Sequence, residues 1–100
     1  MASHDECVAQ WVRAYKGAGW AVCADIPGYQ KPPTIGYRIP DIYATRDSQV
    51  NIIEVETDET INSKQAKEQI AAFTSWASQS PTRRFRLCLA NAKGCKEVYI

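Results

Sequence analysis

The sequence predicts an α/β fold in which a mixed four-stranded sheet is flanked by helices, in the order helix, strand, strand, strand, helix, strand. Three observations carry that expectation. Apolar residues recur at helical spacing in two separate stretches, Val8 to Tyr15 and Ala66 to Ala77. Short apolar and β-branched runs lie between and after them. A helix joining the third and fourth strands requires a right-handed crossover, which makes those two parallel while the first three form an antiparallel meander.

Ser3 is placed to cap the first helix, and Asp5 and Glu6 put negative charge in its first turn, where the macrodipole favours it. Val8, Trp11, Val12 and Tyr15 form its stripe, and "KGAG" supplies a glycine-rich stop. Trp20–Asp25 reads as the first strand. The connection that follows, "IPGYQKPPTIGYRIP", holds four prolines and two glycines, which exclude a regular element. Loops of that length in compact domains are usually functional or mobile. Asp41–Arg46 and Val50–Glu56 are the next strands, joined through "DSQ" as an antiparallel hairpin. Asn62 or Ser63 caps the second helix, whose buried stripe is Ala66, Ile70, Phe73 and Ala77. "SQSPT" ends it, because proline cannot continue a helix. Phe85–Ala90 is the fourth strand, and the tail "KGCKEVYI" reads equally as a short helix or a strand.

One hundred residues make a single domain, 1–100, with an adequate core. The formal net charge of +1 gives the whole chain no strong preference for nucleic acid or anionic membrane, so a basic binding surface has to come from local clustering. No apolar run reaches the ~18–20 residues of a membrane span, and "MASHDECVAQ" lacks the basic start and apolar stretch of a signal peptide. No membrane partner is expected, and a cytoplasmic setting is the default. Cys7, Cys23, Cys88 and Cys95 form no C-x-x-C pair, and the single histidine, His4, lies outside any zinc-ligand pattern. In a reducing compartment the expectation is free thiols, with Cys95 the most exposed and the other three acting as small hydrophobes.

The acids point to chemistry. On a strand, residues two apart share a face, so Glu54 and Glu56 project together while Ile53 and Val55 go to the other side. With the hairpin turn near residues 47 to 49, Asp41 falls roughly opposite Glu54 to Glu56. Carboxylates crowded in this way raise one another's pKa unless a cation sits between them. Hard oxygen ligands of this kind suit Mg²⁺ or Mn²⁺, which can activate water and neutralise charge on a phosphate.

Pro40-Asp41, followed after twelve residues by Glu54-Val55-Glu56, resembles the PD-(D/E)xK nuclease superfamily. The element order is similar to the restriction-endonuclease-like core of that superfamily over roughly residues 3 to 90. The resemblance implies a divalent-metal-dependent nuclease that hydrolyses phosphodiester bonds in nucleic acid, DNA foremost. It implies that Asp41 and Glu54 hold Mg²⁺ or Mn²⁺ and that Glu6 assists from the first helix. Gln69 to Phe73 is similar to the Gln-x-x-x-Tyr pattern of some members, with phenylalanine for tyrosine. The superfamily's lysine, two residues after the second acid, is Glu56 here. Glu56 is then a third metal ligand or a general base, and Lys67, Lys64 or Arg38 is left to supply the cation. At ~100° per residue, Lys67 falls about 100° to one side of the buried stripe and Gln69 about 60° to the other.

Lys31, Tyr29, Tyr37 and Arg38 give the long loop a mix of basic and aromatic groups suited to phosphate contact and base stacking. Arg84 and Arg86 share a strand face, where they contact phosphates or keep a sheet edge charged. Trp11, Trp20 and Trp76 read as core or rim of core. A second reading is a nuclease-like fold without catalysis, acting as a nucleic-acid-binding or protein-interaction module. Glu56 in the lysine position favours it. A homodimer or larger assembly would double the basic patches under either reading.

Overall fold

The computed structural model describes residues 3–99. Its elements are α1 (His4–Gly17), β1 (Ala21–Ala24), β2 (Ile42–Arg46), β3 (Gln49–Thr57), α2 (Lys64–Ser78), β4 (Arg83–Asn91) and β5 (Gly94–Val98). Ser3 caps α1 by accepting the Glu6 N–H at 3.2 Å, and Ser63 rather than Asn62 caps α2, accepting the Ala66 N–H at 3.1 Å.

The sheet has five strands, not four, and their spatial order follows the chain, β1-β2-β3-β4-β5. β3 and β4 are parallel across α2, and the other neighbouring pairs are antiparallel. The additional strand comes from the ambiguous tail. Gly94, at φ +119°, turns the chain back after Asn91, whose side chain accepts the Lys93 N–H at 2.9 Å. β5 then pairs Leu87–Asn91 and covers an edge that would otherwise leave β4 with a row of unpaired backbone groups.

The alternation of β3 divides the core between two helices. Ile53 and Val55 join Ile42, Ala44, Cys88 and Ala90 beneath Cys7, Val8, Val12 and Tyr15 of α1. Ile52 and Leu87 are buried on the opposite face with Ala66 and Phe73 of α2, and Phe73 meets Phe85 at a ring separation of 5.6 Å. Burying a side chain such as Phe73 contributes about 1.5–3 kcal/mol. Because α1 and α2 cover opposite faces, Asn51 through Glu56 are all buried, and the two glutamates follow the apolar Ile52 and Ile53 toward the end of the strand.

Cys7 and Cys95 form a disulfide, with Cα atoms 5.6 Å apart. This corrects the expectation of four free thiols, which holds only for Cys23 and Cys88. The partners are separated by 88 residues, so no local spacing signals the bond. It arises because the first turn of α1 packs beside the β4–β5 hairpin. Disulfides persist in oxidising settings, so the argument from a reducing compartment does not apply to this pair. Among the described residues no helix is long and apolar enough to cross a membrane.

The long connection after β1 is irregular, as its prolines require, but it is anchored. The Ala24 N–H donates to the Gln30 carbonyl at 2.9 Å, and the Asp25 N–H donates to the Asp41 carbonyl at 2.8 Å. Ile35 and Arg38 bridge around Gly36 and Tyr37, and Tyr37 sits at φ +68° with its side chain fully exposed. The loop thereby delivers Asp41 to the head of β2.

Candidate active site

The register of the hairpin, Ile42 against Ile53, places Asp41 beside Glu54. The Asp41 N–H donates to Glu54 Oε1 at 3.1 Å, and the Val55 N–H donates to Asp41 Oδ2 at 2.8 Å. From α2, Gln69 Nε2 donates to Glu54 Oε2 at 2.7 Å. Three predicted site residues, Asp41, Glu54 and Gln69, are therefore in direct contact. Glu56 shares the face of Glu54, and its Oε2 accepts from Thr60 Oγ1 at 3.0 Å. A small cleft of about 220 Å³ opens between Glu56 and Gln69, against Ser63 and Ala66 at the start of α2.

A side chain that no sequence motif singles out lies beside Asp41. His4 Nε2 lies 3.1 Å from Asp41 Oδ1, and His4 Nδ1 lies 2.8 Å from Asp5 Oδ1. Both ring nitrogens face carboxylate oxygens, an arrangement that favours the doubly protonated imidazolium. Its pKa is raised to about 9, chiefly by the hydrogen bond to Asp41, while partial burial pulls the other way. Glu54 is also pushed up to about 9, first by burial and then by the charge of Asp41. Burial raises Glu56 as well, against the hydrogen bond from Thr60.

The remaining predicted residues do not join this group. Glu6 is exposed and makes no side-chain hydrogen bond or ion pair among the described residues. The reason is angular. At ~100° per residue, Glu6 points about 160° from the buried Val8, whereas His4 lies about 40° from Val8 and 60° from Cys7. His4 is thus a backward extension of the α1 stripe, and following that stripe one more turn toward the N-terminus would have found it. Lys64 and Arg38 both pair with Glu68, at 3.9 and 3.6 Å, and Lys67 is exposed without a side-chain partner among the described residues. Lys31 and Tyr37 are exposed on the loop.

Arg84 and Arg86 lie on the α1 face, opposite the glutamates. Arg86 is held by Glu97 through two hydrogen bonds of 3.1 and 2.7 Å, donates to the Tyr15 hydroxyl at 3.1 Å, and stacks 4.7 Å from the Trp11 ring centroid. Asn51 Nδ2 donates to the same hydroxyl at 2.8 Å. This buried polar group was not foreseen, because an asparagine within an apolar strand carries no distinctive pattern.

Among the described residues no cluster of three or more His, Cys, Asp or Glu side chains is arranged to hold a metal ion. Asp41 and Glu54 have the donor chemistry for a hard divalent cation. Each carboxylate oxygen that accepts one N–H keeps a second lone pair, whereas the Glu56 carboxylate is drawn toward Thr60. The class that fold and site define is an α/β domain of two helices on a five-stranded mixed sheet, with a partly buried aspartate beside a buried glutamate at one sheet end. The chain matches no protein-family model and no curated protein.

Proposed function

We propose that this chain is a divalent-metal-dependent nuclease of the PD-(D/E)xK type, built on a restriction-endonuclease-like core and hydrolysing phosphodiester bonds in nucleic acid. The observation that carries the reading is the direct pairing of Asp41 with Glu54 at the joined ends of β2 and β3, with Gln69 of α2 bonded to the same carboxylate. In this reading Asp41 and Glu54 hold Mg²⁺ or Mn²⁺, which when bound lowers the pKa of water and neutralises phosphate charge. Gln69 and the Asp41 N–H fix the orientation of Glu54, and the Val55 N–H fixes Asp41. Glu56 lines the cleft, has Oε1 without a hydrogen-bond partner among the described residues, and has its pKa raised by burial. It accepts the proton of the attacking water. The imidazolium of His4 brings positive charge to Asp41, where the superfamily's lysine is missing.

A second reading has one observation in its favour. His4 already neutralises Asp41, so the acids can coexist without metal, as a module that binds nucleic acid or protein without cutting would need. Titration of the purified chain with Mg²⁺ and Mn²⁺, followed by backbone amide shifts, separates the two. Catalysis requires saturable shifts around Asp41, Glu54 and Glu56, abolished in Asp41→Asn, together with metal-dependent cleavage of single- or double-stranded DNA or RNA lost in the same variant. No response at millimolar metal would overturn the nuclease reading.

A further inference from the structure

A cavity of about 590 Å³ opens on the α1 face, between the C-terminal half of α1 and the first residues of β3 and β4. Its size is in the range of small-molecule sites. One wall is aromatic, made by Trp11, Tyr15 and Trp20. Tyr15 is stacked on Trp11 at 6.2 Å and edge-on to Trp20 at 5.0 Å. Trp11 and Trp20 are partly buried and packed against the core, the rim position expected of them, so each keeps some surface open to the cavity.

The charges around the cavity are of one sign. Among the described residues no aspartate or glutamate lines it, whereas Arg83, Arg84 and Arg86 do. Arg86 is compensated by Glu97. Arg83 donates only to the Trp76 carbonyl and Gln79 Oε1, and Arg84 is exposed with no side-chain partner among the described residues. Asn51 spends its Nδ2 on Tyr15 and keeps its carbonyl oxygen as an acceptor at the cavity.

From these features we infer that the cavity binds one unpaired nucleotide, its base against the Trp11–Tyr15–Trp20 wall and its phosphate on Arg84. An aromatic wall needs an exposed base face, which a base inside a duplex does not offer. The guanidinium of Arg84 suits a phosphate, and the Asn51 carbonyl suits an exocyclic amino group. The inference rests on the nuclease reading only in taking the nucleotide to be part of a substrate strand. Asn51 is three residues from Glu54, about 10 Å along β3, and on the opposite face. The site therefore holds a nucleotide away from the bond to be cut.

The test is a titration of the full chain with adenosine 5′-monophosphate in EDTA, following the indole N–H signals of the three tryptophans. Trp11 and Trp20 should shift saturably, with Trp76, which does not line the cavity, as the reference. Adenosine alone and inorganic phosphate alone should bind at least roughly tenfold more weakly, and Arg84→Ala should weaken the monophosphate by a similar factor. Arg84 is exposed, so that variant keeps the fold. Silence of Trp11 and Trp20 at millimolar ligand, an Arg84→Ala variant that binds as wild type, or phosphate binding as tightly as the nucleotide would each overturn the inference. Asp41→Asn should bind the nucleotide unchanged. Nucleotide binding without a metal response at the acids would leave this inference standing and remove the nuclease reading, and the converse would do the opposite.

Discussion

Reduction of the Cys7–Cys95 bridge measures how much of the stability of this small domain comes from covalent closure rather than from its core. The bond spans 88 residues. Releasing a loop of that length returns chain entropy to the unfolded state worth about 4–5 kcal/mol at 25 °C. A domain of this size has a total stability of roughly 5–15 kcal/mol and an unfolding entropy of ~0.2 kcal/mol/K. The melting temperature should therefore fall by about 20 °C. Cys7 and the adjacent Val8 are fully buried in the core, so little of the loss should come from native contacts. Scanning calorimetry with and without a phosphine reductant, with thiols counted by mass spectrometry, gives the number directly, and Cys95→Ser under oxidising conditions should reproduce it. Fully reduced protein that melts within about 5 °C of the oxidised form would refute the chain-entropy argument.

Three further outcomes are expected. The chain has one histidine, so the His4 ring proton signals report a single titration. Its midpoint should lie near 9 and move toward 6.5 in Asp41→Asn, and a wild-type midpoint below 7 would contradict the ion pair. Because that pKa is raised on folding, the stabilisation from His4 is full below pH 6.5 and is lost as pH rises through about 9. The raised pKa of Glu54 has the same sign in a metal-free protein, so its protonated form favours folding and the advantage of Glu54→Gln should grow from pH 4.5 to about 9. The gain should be at most about 1.4 kcal/mol per pH unit in urea titrations, and a pH-independent difference would dismiss the burial argument. Tyr15→Phe removes the acceptor for Asn51 and Arg86 and should lower stability by about 1–3 kcal/mol in the same assay. An unchanged midpoint would mean that water replaces the hydroxyl.

Much of this architecture is legible in the sequence, because hydrophobic period and turn chemistry are local. The stripes of α1 and α2, the hairpin of β2 and β3 and the placement of Asp41 against Glu54 follow from spacing alone. Gln69 meets Glu54 because its angle from the Ala66–Phe73 stripe turns it toward the sheet. The failures are of two kinds. Cys7–Cys95 and the Tyr15–Asn51–Arg86–Glu97 group join residues from distant segments, where sequence separation carries no information about proximity. The second kind is one of helix phase. Glu6, which the resemblance implies as an assistant from the first helix, points away from the sheet, whereas His4, outside any motif, meets Asp41 because it continues the buried stripe of α1. The tail was ambiguous because "GCKEVY" has too few residues to show a period, and only the unpaired edge of β4 resolves it.

Strand order that repeats chain order has a consequence for how the protein is made. Three of the four strand pairings join consecutive strands antiparallel, and the single crossover is the one spanned by α2. Such a topology keeps native contacts short in sequence, which favours fast folding. Asp41, Glu54 and Gln69 all lie within one hairpin and the helix that follows it. As the chain leaves the ribosome, the acid pair has its partners at hand before β4 and β5 are synthesised. The parallel docking of β4 against β3 is the step that has to wait, and it is also the step that closes the wall around Trp11 and Trp20.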